Sequence, residues 1–442
     1  MTGGRVGVRA IALTRTDAYR NMMKPEILTT LRTYTGSLFL ADLLAGVTVA
    51  MVALPLSLAI AIASGADPAK GLVTAIVAGF LVSLFGGSRV QIGGPTGAFI
   101  VVVFSVIAQH GYDGLVLATL MAGIILVIAG YFRAGNLVAL VPEAVINGFT
   151  IGIAIIIATS QLKDLFGLEL THISAEFFEK LASLWGAGGT FNAVAFAIGS
   201  VTMILIVVFR RAAPKFPGLI LAVGLASAVV AVAALPVDTI YSRFGDLPRG
   251  LPLPALPVMS FVRITELLPS AFVIAFLAGV ESLLSATVAD RMIAERHRPN
   301  AELLAQGVAN IGSALFGGLP ATGAIARTAT NVRAGGKTPM AGIIHALTIL
   351  LVMLFAAPLA GYLPMPALAG LLILTAWNMS EPHKWAGYLT DRRSDQFLML
   401  VTMTMTVAVD LTVAIGVGVA LGLAIRLRRR IRPASDQTTP EK

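Results

Sequence analysis

Long apolar runs separated by short polar segments dominate the chain. Residues 115–132, 191–209 and 343–357 form runs at or close to the length that crosses a lipid bilayer. Hydropathy predicts about fourteen transmembrane segments between residues 42 and 428. Their predicted ranges are 42–62, 69–86, 95–109, 114–132, 142–160, 190–208, 217–235, 266–289, 299–317, 323–334, 339–357, 364–380, 395–410 and 412–428. The pattern therefore predicts an all-α polytopic membrane protein.

The distribution of lysine and arginine predicts the orientation of these segments. Alternate predicted loops carry most of the basic residues, namely Arg89, Arg133, Arg210, Arg211, Lys215, Arg291, Arg296, Arg298, Arg333, Lys337, Lys384, Arg392 and Arg393. The loops on the other side carry Lys70, Lys163, Lys180, Arg243, Arg249 and Arg263. Because basic loops stay in the cytoplasm, we expect an inner-membrane protein whose segments 1–41 and 429–442 are both cytoplasmic.

Composition narrows the classes of function. Hydrophobic residues make up 57% of the chain and charged residues 12%, far below the charged share of soluble domains. The net charge of +9 lies in loops and at the ends, so we expect the lipid bilayer and no nucleic acid as a partner. The chain has no cysteine, and its histidines show no ligand spacing, so we predict no metal site and no cofactor. Neither HExxH nor GxSxG occurs, which disfavours an intramembrane enzyme.

A short motif occurs twice and predicts an internal repeat. The letters LFGG at 84–87 and 315–318 are followed by GGPTGAF at 93–99 and LPATGAI at 319–325. The copies fall in the third and tenth predicted spans, an odd number of spans apart, so they would face opposite ways across the membrane. Inverted repeats with segments interrupted by glycine and proline are typical of binding sites in secondary transporters.

The chemistry of the two copies predicts an anion site. Pro95 and Pro320 suit the entry of a helix, and Thr96 and Thr322 are candidate N-caps. Each copy would be an extended segment leading into a half-helix, with the two positive helix N-termini meeting in mid-membrane. Arg327, about one and a half turns into the second half-helix, would reach back and complete an oxyanion pocket. The alternatives are a simple kink in each span and an arginine that serves structure only.

Acidic residues inside the predicted spans suggest ion coupling. Glu281 lies in mid-span, and Ser285 follows on the same helix face. Such a carboxyl can carry a proton or hold Na⁺, and the alternative is a fixed counter-ion for Arg327. Four other acidic residues near span ends are predicted to be caps or interface residues, namely Asp42, Glu143, Asp290 and Asp410.

Four stretches of the chain resemble the SulP anion transporters. They are VALPLSLAIAIASGADPAKGL at 52–72, GGPTGAFIVVV at 93–103, ESLLSA at 281–286 and PATGAIARTATNVRAGGKTP at 320–339. The resemblance covers residues 40–430 and implies a seven-plus-seven inverted repeat with half-helices at spans 3 and 10. It also implies a homodimer in which a core of spans 1–4 and 8–11 moves as an elevator against a gate of spans 5–7 and 12–14.

The resemblance also implies a substrate class and a set of site residues. The substrate would be a small anion of the dicarboxylate, sulfate or bicarbonate class, carried with H⁺. Na⁺-coupled uptake and an uncoupled exchanger or channel are the alternatives. Glu281 and Ser285 match the ion-coupling pair. The substrate-pocket positions match Ile60, Thr96, Gly97, Ala98, Phe99, Gly323, Ala324, Ile325, Ala326 and Arg327.

The sequence departs from the family pattern at two places. Leu56 stands where many members have glutamine after the proline of span 1, which removes one polar contact. Members usually continue into a cytoplasmic STAS domain, whereas segment 429–442 ends where the linker to that domain would begin. We therefore expect a truncated sequence.

Overall fold

The computed structural model describes residues 23–136, 142–170, 174, 176–212, 217–409 and 411–431. His172, Lys215, Asp410 and the segment after residue 431 lie outside the described residues, so the predictions made for them receive no structural account.

Helices make up most of the described chain. In chain order they are α1 Ile27–Thr30, α2 Gly36–Ala63, α3 Pro68–Phe85, α4 Ile100–Tyr131, α5 Glu143–Phe166, α6 Phe177–Gly186, α7 Ala193–Ala212, α8 Gly218–Val232, α9 Ile240–Phe244, α10 Phe261–Ile293, α11 Pro299–Leu315, α12 Ile325–Arg333, α13 Met340–Gly361, α14 Met365–Met379, α15 Trp385–Thr390, α16 Arg393–Ala408 and α17 Leu411–Ile431. Two short strands, β1 Gly93–Gly94 and β2 Thr322–Gly323, complete the elements used below.

Seven stretches among the described residues are long and apolar enough to cross a membrane. They are α2, α3, α4 with the turn before it, α5, α7, α10 and α13. Because the apolar length of each matches the hydrocarbon thickness of a bilayer, the chain is a multi-pass membrane protein. The other helices α8, α11, α12, α14, α16 and α17 coincide with further predicted spans.

One helix boundary differs from the prediction. The sequence predicts separate spans at 95–109 and 114–132, whereas the structure has one stretch, α4, with a sharp break at Gly111. Gly111 has φ +70° and ψ 178°, a conformation that glycine adopts without steric penalty. The break lies between the two predicted spans, which the structure joins through this single non-helical residue.

The helices pack in two groups. In the first group α11 packs along α4 and α3, α13 along α2 and α3, and α10 along α4. In the second group α5 packs along α14 and α16, and α7 along α14. Close approach within the first group depends on small residues, since a Cβ on Gly123 would lie 2.8 Å from the Gly307 carbonyl oxygen.

Asp42 links α2 to the segment before α13, in agreement with its predicted role as a cap or interface residue. Its buried carboxylate, on α2, accepts the backbone N–H groups of Lys337 and Thr338 at 2.8 and 3.1 Å, just before α13 begins. The Tyr34 hydroxyl donates to the same carboxylate at 3.2 Å. Burial and the charge of Asp42 raise the pKa of Tyr34 to about 12, so the phenol remains a hydrogen-bond donor at neutral pH.

Candidate functional site

The two copies of the repeated motif meet in a short antiparallel pair. Gly93 of β1 pairs with Gly323 of β2, and Gly94 pairs with Thr322. The backbone N–H of Ala324 extends the pair by donating to the Ile92 carbonyl at 2.8 Å. A 3₁₀ turn, Gly97–Phe99, leads from β1 into α4, and α12 begins directly after β2. The 3₁₀ turn before α4 and the start of α12 therefore both lie beside the β1–β2 pair.

Glycine is required in this pair because other groups lie where a side chain would be. A Cβ on Gly93 would lie 2.6 Å from Val82 Cγ2, and a Cβ on Gly323 would lie within 1.5 Å of Gln91 Nε2. Both distances are below any normal contact, so a larger residue at either position would displace the neighbouring side chain, Val82 of α3 or Gln91. The glycines thus leave room for these two side chains beside the paired strands.

Arg327 lies buried behind β1. It is the third residue of α12, which begins at Ile325, so it sits in the first turn rather than one and a half turns in as predicted. Its Nη2 donates to Ser57 Oγ at 3.0 Å and to the Pro95 carbonyl at 3.1 Å. Nη1 lies against Gly94, and both Nη1 and Nε have no hydrogen-bond partner within the described part of the chain. The guanidinium is therefore buried, charged and only partly satisfied.

Glu281 of α10 contacts the first copy of the motif. The Thr96 hydroxyl donates to Glu281 Oε2 at 2.9 Å. Among the described residues Glu281 forms no direct ion pair with Arg327, but the two charges lie close enough to attract each other, so the fixed counter-ion stays an alternative. The Glu281 carboxylate binds the Thr96 side chain, and the Arg327 guanidinium binds the carbonyl of the neighbouring Pro95.

The predicted N-cap position is correct for Thr96 and wrong for Thr322. Thr96 is the residue before the 3₁₀ turn, but its side chain forms no cap bond and its hydroxyl donates to Glu281. Thr322 lies in β2 and donates to the Ala278 carbonyl at 2.8 Å, and Ala324 is the residue that precedes α12. In each case an acceptor on α10 captures the hydroxyl, which sequence-local reasoning about caps does not consider.

Ser285 faces the second copy of the motif. Its Oγ lies 3.3 Å from Thr328 Oγ1, and the same Thr328 oxygen accepts the backbone N–H of Ile92 at 3.1 Å. Glu281 therefore contacts the β1 side of the paired strands, and Ser285, one turn later on α10, contacts α12.

The remaining predicted site residues differ in exposure. Gly97 lies against the second helix group, since its Cβ would be 2.9 Å from Met379 Sδ and 3.6 Å from Ile157 Cδ1. Two residues at the start of α12 are exposed, namely Ile325 and Ala326. The others are buried, namely Ile60, Ala98, Phe99 and Ala324.

Sequence reasoning missed a buried carboxylate network beside the pair. Gln91 Nε2 donates to Ser282 Oγ at 2.8 Å, and Ser282 Oγ donates to Glu302 Oε1 at 3.0 Å. Glu302 also accepts from Gln306 Nε2 at 2.9 Å and from the Gly87 N–H at 3.0 Å. A glutamate and a glutamine four residues apart in a predicted span were the available signal.

His345, one of the histidines that show no ligand spacing in the sequence, lies near the pair. It is fully buried on α13, and neither ring nitrogen has a hydrogen-bond partner among the described residues. A Cβ on Gly79 would lie 3.1 Å from the Gly93 carbonyl and 3.9 Å from His345 Cδ2. The imidazole thus lies behind β1, and a single histidine in an apolar run offered no signal for this position.

Comparison with known proteins identifies the family to which the chain belongs. The profile of the Sulfate permease family matches residues 39–402, which include every predicted site residue. The chain belongs to the Sulfate permease family. Members of this family are transporters, so the chain is a transporter and not an enzyme.

Curated members of the family resemble the chain over most of its length. YvdB of Bacillus subtilis (strain 168), whose name proposes a sulfate transporter, is 44% identical over 84% of this chain and 70% of its own length. The bicarbonate transporter BicA of Picosynechococcus sp. (strain ATCC 27264 / PCC 7002 / PR-6) is 33% identical over 75% of this chain. The chain spans 60% of that BicA.

Solved structures show the same fold. The transmembrane domain of a cyanobacterium bicarbonate transporter, BicA, is 30% identical, with a TM-score of 0.75 over 88% of this chain and 98% of that domain. SLC26A9 aligns with a TM-score of 0.84 over 95% of this chain and 70% of its own chain, at 18% identity, which supports the fold alone. The helical arrangement described above is thus that of this family's membrane domain.

Proposed function

We propose that the chain carries out secondary active transport of a small oxyanion, of the sulfate, bicarbonate or dicarboxylate class. The observation that carries this proposal is the junction at β1 and β2. Two helix starts lie there beside a buried guanidinium whose Nε and Nη1 have no protein partner among the described residues. Membership of a family whose curated members are named for sulfate and bicarbonate transport supports the choice of anion.

The anion would bind to backbone N–H groups at the starts of the turn before α4 and of α12. These groups lack intrahelical partners and carry the positive end of each helix dipole. Arg327 is buried and forms no direct ion pair among the described residues, so its positive charge favours the bound anion even without direct contact. The proposed pocket consists of Ile60, Thr96, Gly97, Ala98, Phe99, Gly323, Ala324, Ile325, Ala326 and Arg327.

Glu281 is the proposed coupling residue. Its carboxylate binds Thr96, the residue before the proposed pocket turn, so its negative charge would repel a bound anion. Protonation removes that repulsion, and anion and proton then favour each other's binding. This arrangement gives symport with one titrating group. If Na⁺ is the coupling ion instead, Glu281 and Ser285 would be its ligands.

Motion between the two helix groups would complete the transport cycle. The group containing α2–α4 and α10–α13 would be the moving core, and the group containing α5, α7, α8, α14, α16 and α17 would be the gate. This proposal requires fourteen membrane segments, arranged as two inverted sets of seven, with both ends of the chain in the cytoplasm. It also places the protein in the inner membrane as a homodimer. The contact of Gly97 with Met379 and Ile157 lies between the groups, at the mouth of the proposed pocket.

Replacing Arg327 tests the anion site. Arg327→Gln keeps a side chain of similar shape and removes the charge, so we expect at least roughly tenfold slower anion uptake in a folded protein. Purified protein in liposomes would be assayed with labelled sulfate, bicarbonate and succinate. Arg211→Gln, at an exposed position near the end of α7, is the matched control and should transport normally. Uptake of every anion at the wild-type rate by Arg327→Gln would contradict the proposal.

A further inference from the structure

Lys180 is buried although it lies outside the membrane-length helices. It is on the amphipathic helix α6, and only 4% of its surface is exposed. Its Nζ donates to Ser160 Oγ on α5 at 3.0 Å and lies 5.3 Å from the centroid of the Phe104 ring on α4. The sequence pattern placed this lysine in a long polar connection, where exposure to water is the expectation.

A buried ammonium with these contacts needs an explanation. Burial lowers the pKa of Lys180, and no carboxylate in the described part of the chain contacts it. One hydroxyl and one aromatic face replace only part of the hydration that an ammonium loses. A lysine in a connecting segment could turn to solvent without this penalty, so its placement between two packed helices points to a role there.

The contacts of Lys180 continue the interface that begins at the proposed anion pocket. Ile157, about one helical turn before Ser160 on α5, lies against Gly97. Phe104 is about two turns beyond Gly97 on the helix that starts there. A Cβ on Gly65 would lie 3.3 Å from Phe104 Cδ2, so the ring lies between the loop after α2 and the lysine. Lys180 therefore bridges the proposed core and gate on one side of the pocket.

We propose that Lys180 is a gating residue of the anion path. By binding Ser160 and Phe104 together, it holds α4 against α5 and closes the route to the pocket from the side of α6. When the two helices separate, the ammonium loses both contacts and becomes the first fixed cation that an entering anion meets. This inference rests on the proposed function for the identity of the path, but the closure itself can be measured without any substrate.

Cysteine labelling tests this gate. The native chain contains no cysteine, so Ala98→Cys places a single thiol beside the pocket. A membrane-impermeant, uncharged thiosulfonate would be applied to the α6 side of sealed vesicles, so that loss of the Lys180 charge does not itself change the approach of the reagent. We expect Lys180→Met in this background to increase the labelling rate about fivefold to tenfold, since opening no longer breaks a hydrogen bond and a cation–π contact. Labelling of the two proteins at equal rates would overturn the proposal.

Two controls separate gating from damage to the fold. Lys163→Met removes another lysine, on α5 close to Ser160, whose Nζ donates to the Leu170 carbonyl at 3.2 Å. This substitution should leave the labelling rate unchanged. Ser160→Ala should accelerate labelling with Lys180 present and add little to Lys180→Met. Fully additive effects of the two substitutions would overturn the proposal. Because labelling requires no transport, normal uptake by Arg327→Gln would refute the anion site without altering these results.

Discussion

At the scale of single residues, two buried charged side chains, Glu302 and Arg327, and the partly buried Glu281 differ in how far their hydrogen bonds are satisfied. The Glu302 carboxylate accepts three hydrogen bonds, from the Ser282 hydroxyl, the Gln306 amide and the Gly87 N–H. Arg327 has two nitrogens, Nε and Nη1, without partners among the described residues, whereas Glu281 Oε2 accepts a hydrogen bond from the Thr96 hydroxyl. Incomplete satisfaction of a buried charge costs several kcal/mol. The Glu302 carboxylate, with its three hydrogen bonds, is therefore suited to a structural role. Arg327 and Glu281 are suited to a site in which a bound anion interacts with the guanidinium and a bound cation with the carboxylate.

Replacing Glu281 separates anion binding from coupling. In Glu281→Gln the amide oxygen can still accept the Thr96 hydroxyl, but the side chain no longer exchanges a proton. We expect this variant to exchange anions across liposomes at near the wild-type rate and to lose accumulation driven by a pH gradient. Glu266→Gln, at an exposed position on the same helix, is the control and should still accumulate the anion. Accumulation by Glu281→Gln under a pH gradient would exclude the proton mechanism, and wild-type uptake that requires Na⁺ would favour the sodium alternative.

At the scale of elements, the half-helix α12 depends on tertiary hydrogen bonds. It has 9 residues, and isolated helices of that length are marginal in water. Asn331 Nδ2 binds it to the Val90 carbonyl at 2.8 Å, and Asn310 binds both the N–H and the carbonyl of Ala321 just before β2. The paired strands are therefore part of the scaffold that orients α12.

Replacing Gly323 tests this scaffold. The Cβ of Gly323→Ala would overlap Gln91 Nε2, so the Gln91–Ser282 hydrogen bond must break, at about 1–3 kcal/mol of unfolding free energy. We expect a lower thermal unfolding midpoint, partly restored by adding Gln91→Ala. Gly224→Ala, in α8 with open space at the Cβ position, is the control and should not lower the midpoint. Equal midpoints for Gly323→Ala and this control would show that the strands are not tightly constrained.

At the scale of the whole molecule, the proposed arrangement has both ends of the chain in the cytoplasm. This requires an even number of membrane crossings. The proposed arrangement puts α6 and α15 on opposite sides of the membrane. Gly186, at the end of α6, and Gly387, in α15, are exposed and have open space around them. Both are therefore suitable for reporter cysteines in this cysteine-free chain.

Labelling of these two positions tests the topology. In intact cells an impermeant maleimide should label Gly186→Cys, whereas Gly387→Cys should react only after permeabilisation. Total reactivity in detergent controls for local burial and should be equal for the two variants. If both variants were labelled in intact cells, the arrangement of fourteen segments in two inverted sets would be wrong.

The sequence alone determined the features that depend on local composition. The length of each apolar run predicted a multi-pass helical protein, because the bilayer thickness sets the number of residues needed. The repeated LFGG and TGA letters identified the two segments that pair as β1 and β2. Arg327 stood out because a charge in an apolar run is costly wherever the run folds.

Only the tertiary structure decided which partner each polar group has. Thr96 was expected to cap its own helix and instead binds Glu281, which lies 185 positions away along the chain. Lys180 was assigned to a predicted loop and is buried between α4 and α5. Hydrogen bonds form between whichever groups packing brings within about 3 Å, and a local pattern contains no information on such distant neighbours. The polar chemistry of the site therefore emerged only when the helices were assembled.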